Sequence, residues 1–298
     1  MPLHPPPRPE PPSLEKLFVR APNHLGDGVM ALPAITALAA AAGSCRVAAP
    51  SWGQLLFRDS GATWVPKATR PERDEQAVLL APSFRAAWQA RRAQRRFGLA
   101  TDGRSLLLNR SVKPPGLHRS DDYAAVAALV GVEVFGAPRF EPRDAERAAW
   151  AQIPLHVGLN PVSVSGAPVQ WPGFAALAAR LDEPLRLYCG PGEAERAQAM
   201  VPGVELLDGL SLGDLAGALQ RCRVLVSNDS GVAHFAAACG VRVVVLHGST
   251  TAAHTGIAGA IAVEGPDLAC RPCYRKACEL GVPCLTGIDV ERVLEVIG

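Results

Sequence analysis

Short apolar runs alternate with helical patterns along this 298-residue chain, and the alternation runs twice, broken by a stretch rich in Pro and charge. Each short run flanked by a helical pattern reads as a buried parallel strand with its crossover helix. In the first half, Lys16–Ala21, Arg46–Ala49 and Ala77–Ala81 read as strands, and Val29–Ala42, Phe84–Phe97 and Asp121–Val130 as helices, the second of these strongly basic. Gly136–Pro154 has no long apolar run and reads as a helix-containing connector. Strands then follow at Leu155–Leu159, Leu185–Cys189, Val224–Ser227 and Val241–His247. Helices are expected at Phe174–Leu181, Ala194–Met200, Leu212–Leu219, Val232–Cys239 and Asp289–Ile297. The fold class is therefore α/β, with two mostly parallel sheets. The length fits a disordered Pro-rich tail at 1–14, a first domain at 15–150 and a second at 151–298. Two such domains facing each other leave an interdomain cleft, a preferred ligand site.

Charge separates the halves. The whole chain carries 30 Lys+Arg and 28 Asp+Glu. Residues 1–150 hold 20 basic and 14 acidic side chains, and residues 151–298 hold 10 and 14. The near-zero total excludes a general polyanion binder, so no nucleic-acid partner is expected, while the first half is suited to an anionic partner. No run approaches 18 apolar residues, and the seven prolines of residues 1–13 leave no signal-peptide core. A cytoplasmic location is expected. The eight cysteines are then expected as thiols or metal ligands rather than disulfides.

Ligands of open α/β sheets gather at the carboxyl ends of strands, so the loops there are the first to inspect. Asn23-His24-Leu25-Gly26-Asp27-Gly28 follows the first strand. Asp27 can be a helix cap or a reactive carboxylate, and Gly26 and Gly28 permit positive φ or close approach. The loop Asn160–Trp171 offers Ser163, Ser165 and Gly166 to an anion but lacks the Gly-Lys-Ser/Thr of a P-loop. Cys189-Gly190-Pro191-Gly192-Glu193 carries an acid that can grip a ribose or merely open a helix. Ser227–His234 runs from a strand through Asp229, Ser230 and Gly231 into a helix whose unpaired N–H groups suit a diphosphate, with His234 one turn inside. His247-Gly248-Ser249-Thr250-Thr251 ends the next strand with a second loop of hydroxyls. Cys270, Cys273, Cys278 and Cys284 form C-x₂-C-x₄-C-x₅-C, a spacing compatible with zinc or with reduced thiols.

These segments together resemble the ADP-heptose:lipopolysaccharide heptosyltransferases, glycosyltransferase family 9. VRAPNHLGDGVMALPAITAL, NDSGVAHFAAACGVRVVVLHGST and CRPCYRKACELGVPCLTGIDVERVLEVI carry the resemblance, and the cysteine run most resembles the heptosyltransferase II group. The resemblance implies a GT-B fold of two Rossmann-like domains facing a cleft. It implies an inverting transfer of heptose from ADP-heptose to the lipopolysaccharide inner core, with no cofactor and no metal. Asp27 would be the general base, and Asn23, His24 and Gly26 would lie on the acceptor side. Ser163, Glu193, Asp229, Ser230, Gly231, His234, Gly248, Ser249 and Thr250 would serve the donor. The acceptor would be an anionic lipid-linked saccharide at the inner face of the cytoplasmic membrane, toward which Arg85, Arg91, Arg92, Arg95 and Arg96 are placed to steer. The family usually sets a basic pair before the Trp-Pro of the first second-domain loop. Here Val169 and Gln170 stand there, and Val162 replaces a Gly. A non-catalytic or donor-altered relative, or another GT-B enzyme such as an epimerase, stays open on these grounds.

Overall fold

The computed structural model describes residues 14–116, 118–164, 170–275 and 277–298. The Pro-rich tail, along with Ser165, Gly166 and Val169, lies outside them. Two parallel sheets form, each of six strands. The first contains β1 (Lys16–Arg20), β2 (Ser44–Ala49), β3 (Thr63–Pro66), β4 (Gln76–Leu79), β5 (Arg95–Leu99) and β6 (Arg110–Val112). The second contains β7 (His156–Asn160), β8 (Leu185–Tyr188), β9 (Glu205–Leu207), β10 (Cys222–Asn228), β11 (Val243–His247) and β12 (Ile261–Glu264). The first sheet is ordered β3-β2-β1-β4-β5-β6, and the second repeats that order as β9-β8-β7-β10-β11-β12. In each, the order reverses beside the first strand, so the loops after β1, β7 and β10 stand at switch points, where α/β sheets bind ligands.

The helices are α1 (Leu25–Ala41), α2 (Gly53–Leu56), α3 (Phe84–Gln89), α4 (Arg119–Ala128), α5 (Asp144–Trp150), α6 (Phe174–Ala178), α7 (Ala194–Met200), α8 (Leu212–Leu219), α9 (Gly231–Ala238), α10 (Ala252–Thr255), α11 (Pro283–Thr286) and α12 (Val290–Ile297). No described helix is long and apolar enough to cross a membrane.

Contacts divide the chain into two compact units. The first holds the described residues up to Pro22, with Pro33–Gly116 and Ser120–Gly136. The second holds Ala137–Gly298 together with Asn23–Leu32, His118 and Arg119. The first sheet is buried along β1 and β4, with Phe18, Ala77 and Leu79 in its core. Strands covered on both faces read as continuous apolar runs, which is why these two stood out in the sequence. The Arg104 guanidinium is fully buried in this unit and donates to the carbonyls of Leu99 and Ala81 at 2.8 and 2.5 Å. The second unit packs Val157, Leu159, Val224, Val226, Val244 and Leu246 from its sheet against Trp171, Phe174, Leu285 and Val293. Its α5 lies against α8, where Gly213 and Gly217 leave room for Glu146.

The structure corrects the expected basic helix at Phe84–Phe97. The helix ends at Gln89, and Arg95–Leu99 is a strand. Arg95 and Arg96 mask that strand, whose Phe97, Gly98 and Leu99 are buried. The first helix begins at Leu25 rather than Val29, so Asp27 lies within its first turn.

Candidate functional site

Asp27 is set by α1. Gly28 N–H donates to His24 C=O at 2.9 Å, closing the turn. A carboxylate there is favoured by the positive end of the helix. Its side chain is 30% exposed and faces Arg119, with Nε 3.8 Å from Oδ1. Asn23 and His24, just before it, are exposed.

Gly26 explains itself by close approach and not by positive φ. A Cβ on Gly26 would stand 3.2 Å from His234 Cδ2 and 3.4 Å from Gly231 Cα. A Cβ on Gly231 would stand 3.1 Å from the Gly26 nitrogen. The two glycines let the start of α1 and the start of α9 pack backbone to backbone, which brings Asp27's turn beside the Ser230-Gly231 turn.

Behind that contact lies a buried polar network. Ser230 is the N-cap of α9, its Oγ accepting from Ala233 N–H at 3.2 Å. The same hydroxyl donates to Asn160 Oδ1 at 2.7 Å, and Ser227 Oγ donates to that oxygen at 2.9 Å. Asn160 in turn donates to Tyr188 C=O at 2.7 Å. Asn228 accepts from Trp171 N–H at 2.9 Å and donates to Pro161 C=O at 2.7 Å. Each amide side chain ties the ends of neighbouring strands together, and such fully partnered networks fix one arrangement.

The Asp229 carboxylate is buried among three partners. Thr255 Oγ1 donates to it at 2.7 Å, His234 Nε2 lies 3.6 Å away and His247 Nδ1 lies 3.8 Å away. Burial alone would raise its pKa. The His234 and His247 rings and the Thr255 hydroxyl outweigh burial and hold it at about 2. Burial pushes the His247 imidazole below its usual range, against the opposing pull of Asp229. His247 Nδ1 also meets Thr250 Oγ1 at 3.2 Å. Among the described residues its Nε2 and the Ser249 hydroxyl are buried without a hydrogen-bond partner, an unusual state for buried polar atoms.

The other expected residues fall as follows. Glu193 is buried at the N-terminus of α7, its carboxylate accepting from Gly190 N–H at 2.9 Å and meeting Arg196 at 3.0 Å. Both contacts are local to the turn. Ser163 is buried, and Gln170 donates to its carbonyl at 3.3 Å. Gly248 packs against Leu285, which a side chain there would strike. The eight cysteines are all free, with Cys270 exposed and Cys284 buried. Among the described residues no group of three or more His, Cys, Asp or Glu is placed to hold a metal ion.

Sequence reasoning passed over Asn160, Asn228, Thr255, Arg119 and Arg271. The first two end strands or begin loops already suspected, and a polar amide at the end of an apolar strand was the available signal. Thr255 and Arg119 lie far from their partners in sequence, with no local pattern to mark them, and Arg271 lies between two cysteines whose thiols were the evident signal.

The sequence profile of Glycosyltransferase family 9 (heptosyltransferase) matches residues 67–282. Lipopolysaccharide heptosyltransferase 1 of Pseudomonas aeruginosa is 33% identical over 149 residues, 48% of this chain and 42% of that protein, so the match spans less than half of the relative's length. Among solved structures, the E. coli ADP-heptose lps heptosyltransferase II superimposes with a TM-score of 0.76 at 21% identity, covering 94% of this chain and 96% of that one. A family 9 glycosyl transferase from Veillonella parvula gives 0.74 at 20% identity, covering 96% and 97%. The E. coli heptosyltransferase WaaC with ADP gives 0.66 at 17% identity, covering 95% and 96%. These likenesses establish the fold as GT-B.

Proposed function

The chain belongs to glycosyltransferase family 9, and from that premise we propose that it transfers heptose from ADP-heptose to the lipopolysaccharide inner core with inversion. The observation that carries this reading is the packing of Gly26 on Gly231, which sets a half-exposed carboxylate, Asp27, beside the polar start of α9. Asp27 takes the proton of an acceptor hydroxyl as that oxygen bonds to the anomeric carbon. The bond from that carbon to the diphosphate breaks through an oxocarbenium-like transition state, and ADP departs with the electron pair. N–H groups near Ser230 and in the loop Gly248–Thr250 stabilise the departing charge, a route that calls for neither metal nor cofactor.

In this reading the first domain receives the acceptor, and Asn23, His24 and Gly26, which pack within the second unit, serve on the acceptor side. The second holds the donor through Ser163, Glu193, Asp229, Ser230, Gly231, His234, Gly248, Ser249 and Thr250. The acceptor is an anionic lipid-linked saccharide, met by peripheral contact with the inner face of the cytoplasmic membrane. Residues 76–120 support this, carrying eight Lys and Arg besides the buried Arg104 and one acid, Asp102. In the same stretch Phe84, Trp88 and Leu106 are exposed large apolar side chains, and Arg91 lies over the Trp88 ring at 4.7 Å. Apolar tips among cations suit an anionic lipid surface.

The test is a transfer screen of nucleotide sugars against lipid-linked acceptors, read by mass spectrometry. Heptose transfer abolished in Asp27→Ala supports the reading, and full transfer by that variant removes Asp27 as the base. One observation favours a second reading, a sugar-nucleotide-binding relative without transfer. Gln170, where a cation is usual, turns its amide to Ser163 C=O. Calorimetry that finds ADP binding with no transfer to any acceptor would select that reading.

A further inference from the structure

Arg271 lies between Cys270 and Cys273 of the cysteine run and outside the residues assigned to donor or acceptor. Its side chain is 8% exposed, and it ties the loop after β11 to the segment at the end of β12. Nε donates to Gly248 C=O at 2.7 Å. Nη2 reaches the carbonyls of His247 at 3.3 Å and Thr250 at 3.4 Å, and Glu264 Oε2 at 3.2 Å. Nη1 donates to Gly265 C=O at 2.6 Å and Pro266 C=O at 3.0 Å. The remaining loop carbonyl, Ser249 C=O, accepts from the N–H groups of Cys273 and Tyr274 at 3.1 and 3.3 Å. The carbonyls of four successive residues, His247 to Thr250, are thus all held by residues 271–274.

A trans peptide turns its N–H opposite to its C=O, and the peptides of this loop are trans. Fixing those carbonyls therefore turns the N–H groups of Gly248, Ser249, Thr250 and Thr251 away from Arg271. Among the described residues these N–H groups have no acceptor. Successive N–H groups turned to one side form a concave anion site. An independent observation points to a ligand at the same loop. Among the described residues the Ser249 hydroxyl and His247 Nε2, on residues 2% and 1% exposed, have no partner.

We propose that Arg271 is a positioning residue that shapes the 247–251 loop into the cradle for the donor's diphosphate, without touching the phosphates itself. The cation works from behind, through backbone carbonyls. Its role is to aim neutral donors, in a chain where Gln170 supplies no charge. This rests on the donor reading above and extends it to a residue which that reading leaves unassigned.

The experiment is calorimetry of the full chain with ADP and with adenosine, a probe without phosphate, on the wild type, Arg271→Lys, Arg271→Gln and Ser249→Ala, each checked by thermal melting. Lysine keeps the charge but lacks the planar fork that bonds several carbonyls at once. The expected result is a fall of about tenfold in ADP affinity for both Arg271 variants, the scale of one charge-assisted contact, with adenosine affinity unchanged. Ser249→Ala leaves the clasp intact and is expected to lose about threefold or more for ADP alone, on the scale of one ordinary hydrogen bond. This variant and Arg271→Lys carry the test if Arg271→Gln does not fold. Wild-type ADP affinity in Arg271→Lys, or equal losses for ADP and adenosine, overturns the inference alone. A wild type that binds neither probe overturns it together with the donor reading.

Discussion

At the scale of single residues, Asp27 and Asp229 show how position assigns two carboxylates different work. Asp27 is half exposed on a helix's first turn, and Asp229 is buried among imidazoles and a hydroxyl. Asp27→Asn keeps the shape and removes the base, so the transfer rate should drop about 10²–10⁴-fold, the usual share of a general base, with an unchanged melting temperature. Stability should also report on protons. The His156 and His247 rings are held below their usual pKa by burial. The unfolded chain therefore binds more protons than the folded one as the pH drops, and their contribution is complete above about 6.5 and lost below it. Asp229 adds a second loss further down, complete above about 4 and lost as the pH falls through about 2. Melting curves from pH 8 to 5 should show the first decline, and His156→Gln should flatten it.

Among the elements, the glycines were legible as loop residues but not in their purpose. The sequence suggested positive φ or close approach at Gly26, and the structure places it in a helix whose neighbour is the backbone of Gly231. Close approach between segments more than two hundred residues apart leaves no local trace. Gly231→Ala should cost about 1–3 kcal/mol, the range for overpacking, visible as a lower denaturation midpoint. Strands buried on both faces were readable because their apolar runs are continuous. β3, β5, β6, β9 and β12 were missed because they are short, and half-exposed or rich in Arg. The misread α3 has a further use. If its exposed Phe84 and Trp88 meet lipid, Trp88 emission should shift to the blue with phosphatidylglycerol vesicles and stay unchanged with phosphatidylcholine alone. Phe84→Ser with Trp88→Ser should abolish vesicle sedimentation.

For the whole molecule, the doubled alternation in the sequence corresponds to two sheets of identical strand order. The loops at their switch points hold most of the suspected residues. The site's supporting framework was hidden, because Asn160, Asn228 and Arg271 act through contacts between distant strands and loops. The thiols follow the same partition of the chain. Cys45 and Cys222 lie in strands, and burial pushes both up to about 12, so near neutral pH they stay protonated and inert. Cys270 is exposed, and Cys273 is partly so. An alkylating agent or a mild oxidant should therefore mark the C-terminal cysteines first, as peptide mapping can show.

That order of attack gives the clasp on the 247–251 loop another meaning. The strand cores are shielded from oxidants, while the 270–274 segment that holds the loop carbonyls carries an exposed thiol at its start. Chemical damage in this chain should appear as weakened substrate capture well before any loss of folded structure. Ageing preparations would then melt like fresh ones while binding less ADP.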